Sequence, residues 1–135
     1  MAQPHQEVLK AFYIHNIVNT LPNQKVKRKE FLIGRTKRNI TGFVLDIHIS
    51  SWSLKHIYDK RELFCNMFVN HSYSIINYPD YIYKNRPEKD GDYLFIKKIG
   101  NYLLCSVLEF VNNKLFVITV FPIRKGYLDL LERIH

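Results

Sequence analysis

Cysteine is nearly absent from this chain: Cys65 and Cys105 are the only two among its 135 residues. Two thiols cannot form a disulfide framework. Cys65 falls in a helical pattern and Cys105 in a strand-like run, so both are expected to be buried thiols, which suits a reducing cytoplasm. Glycine is scarce as well, at five residues, and no G-x-x-x-x-G-K or G-x-S-x-G pattern occurs. Phosphate loops and nucleophile elbows are thereby set aside. The six histidines never stand in a ligand spacing such as HExxH, and no CxxC occurs, so no metal site and no cofactor are expected. No apolar run approaches the roughly 20 residues that cross a bilayer, and no membrane partner is expected. The opening MAQPHQEVLK has no basic stretch followed by an apolar one, so a secretory signal is not expected. Acidic residues are also few: 12 against 20 lysines and arginines, for a formal net charge of +8. A small, strongly basic domain points to polyanionic partners.

The stretch Tyr93–Phe121 organises what is present. It reads YLFIKKIGNYLLCSVLEFVNNKLFVITVF: three apolar runs of strand length, separated by Gly100-Asn101 and Asn112-Asn113. Both pairs tolerate the positive φ of tight hairpin turns, so a three-stranded antiparallel meander is predicted. A loop at Gly100-Asn101 sets Phe95 opposite Ser106 and Lys97 opposite Leu104. A loop at Asn112-Asn113 sets Ser106 opposite Thr119. With alternating side chains, one face carries Tyr93, Phe95, Tyr102 and a polar cluster of Lys97, Ser106 and Thr119. The other face, with Leu94, Ile96, Cys105, Val107 and Val120, is almost wholly apolar. That second face is expected to lie under a helix, and the first to hold any chemistry. A single bulge would invert this for one strand.

Around the meander, Pro4–Leu21 has helical spacing and is stopped by Pro22-Asn23. The most basic segment follows: Lys25, Lys27, Arg28, Lys29, Arg35, Lys37 and Arg38, opposed only by Glu30. Within it Phe31-Leu32-Ile33 reads as a strand ended by Gly34, and Ile40–Ile49 as its partner. Ser50-Ser51 supplies a helix cap, and Ser51–Asn77 reads as one bent helix or two consecutive ones. Pro79 ends that pattern, Asn85–Gly91 is a loop, and a short helix is expected over Tyr127–Ile134. The fold class is α+β: a single domain over residues 1–135, with N-terminal helices on a four- to five-stranded antiparallel sheet ending in the meander.

Two groups of residues carry candidate chemistry. His56 stands a few residues after the cap, four beyond Trp52 and three and four before Asp59 and Lys60. An imidazole there can move protons near neutrality. Lys97, Ser106 and Thr119, with Arg124 beyond the last strand, combine cations and hydroxyl donors of the kind that meet a phosphate. Cleavage of RNA needs no metal, because its own 2′-OH attacks the adjacent phosphate.

DIHISSWSLKHIYDKRELF, INYPDYIYKNR, YLFIKKIGNYLLCSVLE and LFVITVFPIRK together resemble the Barnase–EndoU–colicin–RelE nuclease superfamily, in its small phage and mobile-element versions. The shared elements are His56 in LKHI, the turn Pro79-Asp80-Tyr81-Ile82, Lys97-Lys98, and Ile118-Thr119-Val120-Phe121. The resemblance implies metal-independent RNase activity, often as a toxin acting on tRNA or mRNA, with an antitoxin or immunity protein as partner. Members often carry a second histidine or acid after the helix; here Lys60-Arg61-Glu62 stands instead, which leaves the general base unassigned.

The expectation is thus a cytoplasmic, metal-independent endoribonuclease. His56 moves protons, Lys97 balances the oxyanion, and Ser106 and Thr119 orient the phosphate. Lys25, Lys27, Arg28, Lys29, Arg35, Lys37, Arg38 and Arg124 hold the RNA backbone. The alternative is a non-catalytic RNA- or DNA-binding module that stacks bases on Tyr93, Phe95 and Tyr102.

Overall fold

The computed structural model describes residues 4–37 and 42–135. Arg38 and the expected strand start at Ile40 lie outside the described residues. In chain order the elements are α1 (Pro4–Asn16), β1 (Glu30–Arg35), β2 (Asp46–Ser50), α2 (Ser51–Lys60), α3 (Glu62–Asn77), β3 (Tyr81–Lys84), β4 (Tyr93–Ile99), β5 (Tyr102–Val111), β6 (Lys114–Pro122) and the single turn α4 (Lys125–Leu128). The architecture is α+β.

Among the described residues the strands form one six-stranded sheet in the order β1-β2-β6-β5-β4-β3. It is mixed: β2 runs parallel to β6, and every other pair is antiparallel. The expected four- to five-stranded antiparallel sheet is corrected on both counts. The extra strand, β3, has only four residues, too few to show a period of two between Pro79 and the following loop. Its free edge is closed by the C-terminal segment, where Ile134 N–H donates to Ile82 O at 2.8 Å and Lys84 N–H donates to Glu132 O at 2.9 Å. An edge so paired offers no ladder to another chain.

The meander forms where expected. Gly100, Asn112 and Asn113 take φ of 59°, 50° and 63°, which two-residue hairpin turns require. Phe95 faces Ser106 and Lys97 faces Leu104. Between β5 and β6 the register begins as expected, with Phe110 opposite Leu115 and Leu108 opposite Val117. It then shifts by one residue: Val107 faces Thr119 and Ser106 faces Val120. This β-bulge at Ile118 turns Thr119 to the face opposite Ser106 and Lys97.

The covered face is also the reverse of the expected one. Phe95, Leu104, Leu108, Leu115, Val117 and Val120 pack against Leu9 of α1, Leu54 and Ile57 of α2, and Phe68 and Ile75 of α3 in one buried core. The apolar second face is apolar for another reason: the C-terminal segment lies over part of it. Leu128 packs there on Leu94, Ile96, Cys105 and Val107, with Tyr127 and Leu131 beside it. Both cysteine side chains are buried, and burial pushes each thiol up to about 12.

Candidate nucleic-acid interface

The site is built from α2 upward. Ser50 is the N-cap, extended at φ −89° and ψ 155°, and its Oγ accepts from Ser53 N–H at 3.1 Å. Leu54 and Ile57 point into the core with no exposed surface. The opposite stripe therefore faces outward. Residues four apart share a helix face, so Trp52, His56 and Lys60 form one exposed row. The helix ends at Arg61, whose φ of −147° bends the chain into α3 while its N–H donates to Ile57 O at 2.7 Å.

Pairing of β2 with β6 stops at Ile49–Val117, and α2 packs alongside the rest of β6. The end of α2 thus rises as a wall beside Thr119 and Phe121, with the Arg61 guanidinium carbon 5.7 Å from the Phe121 ring centre. Between this wall and the C-terminal segment lies a groove of about 710 Å³ over the second sheet face. Its lining includes His56, Lys60, Arg61, Lys89, Thr119, Arg124 and Tyr127, with Asp90 as the one acid. Among the described residues none of Lys60, Arg61, Lys89 and Arg124 is held in an ion pair. Four cations against the single carboxylate of Asp90 leave the described lining of this concave surface net positive, which focuses positive potential into it.

The loop between β3 and β4 closes the far wall. Asn85 Nδ2 donates to Asp90 O at 2.8 Å, and Asn85 N–H donates to Asp92 O at 3.0 Å. Gly91 lets the loop rest directly on the sheet: at φ 89°, a Cβ there would lie 2.3 Å from Val107 Cγ1. A second hollow of about 690 Å³ adjoins this loop, but there Asp90, Asp92 and Glu109 offset Lys84, Arg86 and Lys89. Its charges cancel, so the groove beside His56 is the better candidate for a polyanion.

Of the expected site residues, His56, Thr119 and Arg124 meet in this groove. Lys97 and Ser106 do not. Ser106 is fully buried beneath the helices, and its Oγ has no hydrogen-bond partner among the described residues. Lys97 lies on the same covered face near the strand end, where its Nζ donates to Tyr78 O at 2.8 Å and approaches Asp80 Oδ1 at 3.5 Å. The expected polar cluster of Lys97, Ser106 and Thr119 is therefore corrected: the bulge separates Thr119, and the helices cover the other two. Asp80 of the Pro79-Asp80-Tyr81-Ile82 turn also accepts from Lys98 N–H at 2.7 Å, so this turn braces the start of β3 against β4. The sheet aromatics of the alternative reading are mostly enclosed. Phe95 is 2% exposed, Tyr93 packs against the same core, and only Tyr102 is open, at 40%.

The basic segment divides. Arg35 donates to Asp46 Oδ1 at 2.9 Å, and Lys37 lies over Tyr78, both at the far end of β1. Lys29 lies over Phe12 and Phe31. Lys25, Lys27 and Arg28 instead run along α2, because the connector between α1 and β1 is laced to that helix. Ser51 Oγ donates to Lys27 O at 2.6 Å and accepts from Lys29 N–H at 2.8 Å. The buried Lys55 donates to Leu21 O at 2.7 Å and pairs with Asp59, which also accepts from Asn23 N–H at 3.0 Å. Burial alone would raise the Asp59 carboxyl. The bonds from Lys55 and Asn23, with the charges of Lys55 and His56, outweigh burial and hold it below its ordinary value.

Sequence reasoning missed Lys60, Arg61 and Lys89 as groove residues. The row Trp52–His56–Lys60, three residues spaced four apart, was a legible signal for the first; Lys89 meets the groove only through the fold of its loop. Among the described residues no group of three or more His, Cys, Asp and Glu could hold a metal ion, and no helix is long and apolar enough to cross a membrane. Comparison with family models, curated proteins and solved structures finds no match to this chain.

Proposed function

We propose that this protein is an endoribonuclease that cleaves RNA without a metal ion, in the groove between α2 and the end of β6. One observation carries the reading: an exposed imidazole, a half-buried hydroxyl and four cations that form no ion pair among the described residues line the same concave surface. Each part matches a requirement of the reaction. The 2′-oxygen attacks phosphorus, the bond from phosphorus to the 5′-oxygen breaks, and the proton lost by the 2′-OH is balanced by one gained at the 5′-oxygen. His56 is the group that moves a proton. Arg61 and Arg124 offset the charge that grows on the non-bridging oxygens, and Thr119 Oγ–H donates to one of them. Lys60 and Lys89 hold flanking phosphates. The resemblance to the Barnase–EndoU–colicin–RelE superfamily supports the same reading, with tRNA or mRNA as the substrate class.

The test is incubation with total RNA in excess EDTA, followed by mapping of the cut ends. Fragments carrying 2′,3′-cyclic phosphate and 5′-OH are expected. Intact RNA that is nonetheless retarded with the protein in a gel would make the groove a binding site without chemistry. RNA left both intact and unretarded would remove the nucleic-acid reading altogether.

A further inference from the structure

Trp52 is the chain's single tryptophan, and it is 57% exposed. More than half of a large aromatic surface is thus left in water. It is nonetheless fixed in place: Nε1–H donates to Val26 O at 3.0 Å, and the Arg28 guanidinium carbon lies 5.1 Å from the ring centre. His56 lies four helical steps after Trp52, a rise of about 6 Å, close to one nucleotide of an extended strand. A hollow of about 430 Å³ lies between them, walled by Trp52, His56, Lys25 and Asp59. The acid in that wall is already engaged by Lys55 and Asn23 N–H. His56 is therefore a shared wall, with the cationic groove on one side and an aromatic hollow on the other.

We infer that Trp52 is a base-stacking subsite for the nucleotide flanking the cleaved bond, with Lys25, which lines the same hollow, at its phosphate; Arg28 lies over the ring and pairs with Glu30 at 4.0 Å. The inference rests on the proposed nuclease reading and extends it beyond the groove. An indole face accepts any base, so the subsite positions the strand without selecting sequence. Trp52 Nε1–H donating to Val26 O, and Ser51 Oγ donating to Lys27 O while accepting from Lys29 N–H, tie the ring to the backbone of the connector that carries Lys25 before RNA arrives, which lowers the ordering cost of binding.

The chain's only tryptophan makes the test direct. A mixed-sequence RNA decamer with 2′-O-methyl groups cannot be cleaved, because the attacking hydroxyl is masked. Its binding is followed by anisotropy of an end label and, separately, by Trp52 fluorescence. Wild type is expected to bind with strong quenching, and an abasic strand of equal length with little. Trp52→Ala is expected to lose affinity roughly ten-fold, and Trp52→Phe to recover most of it. Binding by anisotropy with unchanged fluorescence, or unaltered affinity in Trp52→Ala, would overturn the subsite while leaving the nuclease reading intact. Quenching without cleavage of unmodified RNA would keep the subsite and overturn the nuclease. No binding by anisotropy would overturn the subsite and, together with no cleavage of unmodified RNA, the nuclease as well.

Discussion

Replacing Ser106 by alanine should make the protein more stable and leave RNA cleavage unchanged. Ser106 has no exposed surface, and Phe95 and Val120 flank it on the neighbouring strands, both at most 2% exposed. Its hydroxyl has no partner among the described residues. An unsatisfied buried polar group costs roughly 1–3 kcal/mol, and removing it recovers part of that. Alanine gives up only one buried atom, and the void is smaller than a methyl group. A net gain of about 1 kcal/mol is expected, or roughly 4 °C in Tm for a domain of this size. Urea unfolding followed by circular dichroism gives the stability, with an unchanged m-value as the sign that both states are otherwise alike. Cleavage of a labelled RNA in EDTA gives the activity. A loss of stability above 1 kcal/mol would mean that the hydroxyl is bonded. A loss of cleavage at full stability would mean that the helix-covered face reaches the RNA, which this packing forbids.

Three further outcomes follow from the same geometry. Lys55→Met keeps the aliphatic stem but leaves Leu21 O and the Asp59 carboxylate short of a partner. It should cost about 2–3 kcal/mol in urea unfolding, and an unaltered midpoint would show that the connector is not latched there. His48 has neither ring nitrogen hydrogen-bonded among the described residues, and burial, then the charge of Lys114, lower its affinity for a proton. The folded state therefore binds fewer protons than the unfolded one below the ordinary histidine range, so stability should fall as pH drops from about 6.5 toward the lowered value. His48→Phe should flatten that segment of the stability–pH curve, and an unchanged slope would assign it to other groups. Finally, Lys60→Ala with Arg61→Ala should weaken binding of single-stranded RNA at all sequences. It should also flatten the log–log salt dependence by about 1.4, at roughly 0.7 per phosphate contact; an unchanged slope would place the phosphates elsewhere.

What could be read without the structure was local. Asn112-Asn113 and Gly100-Asn101 specified both turns, because few residues accept positive φ, and the turns fixed the pairing of β4 with β5. Ser50 marked the start of α2, and Pro79 the end of the helical stretch. The bulge at Ile118 was not legible, since no glycine or proline marks it, and one residue of slip moved Thr119 to the other face. The choice of covered face was lost for a related reason. Both faces are apolar, one beneath helices and one beneath Leu128 and Tyr127, so hydrophobicity alone could not rank them. Lys97 looked unexplained on an aromatic face until Tyr78 O and Asp80 supplied its partners from a turn 17 to 19 residues earlier. His56 and Arg124 fell in the groove because a helix stripe and a strand end are short-range features, and such features survive an error in register.

On the proposed function, RNA is cut beside His56 on the second face of the sheet, rather than at Lys97 on the face beneath the helices. Single-turnover cleavage of one labelled RNA in EDTA by His56→Ala and by Lys97→Ala, side by side at equal folded fraction, tests it most directly. A loss of roughly 10²–10⁴-fold is expected for His56→Ala, the scale of a proton-transfer group, with Lys97→Ala within a few-fold of wild type. Equal losses in the two variants, or wild-type cleavage by His56→Ala, would contradict it.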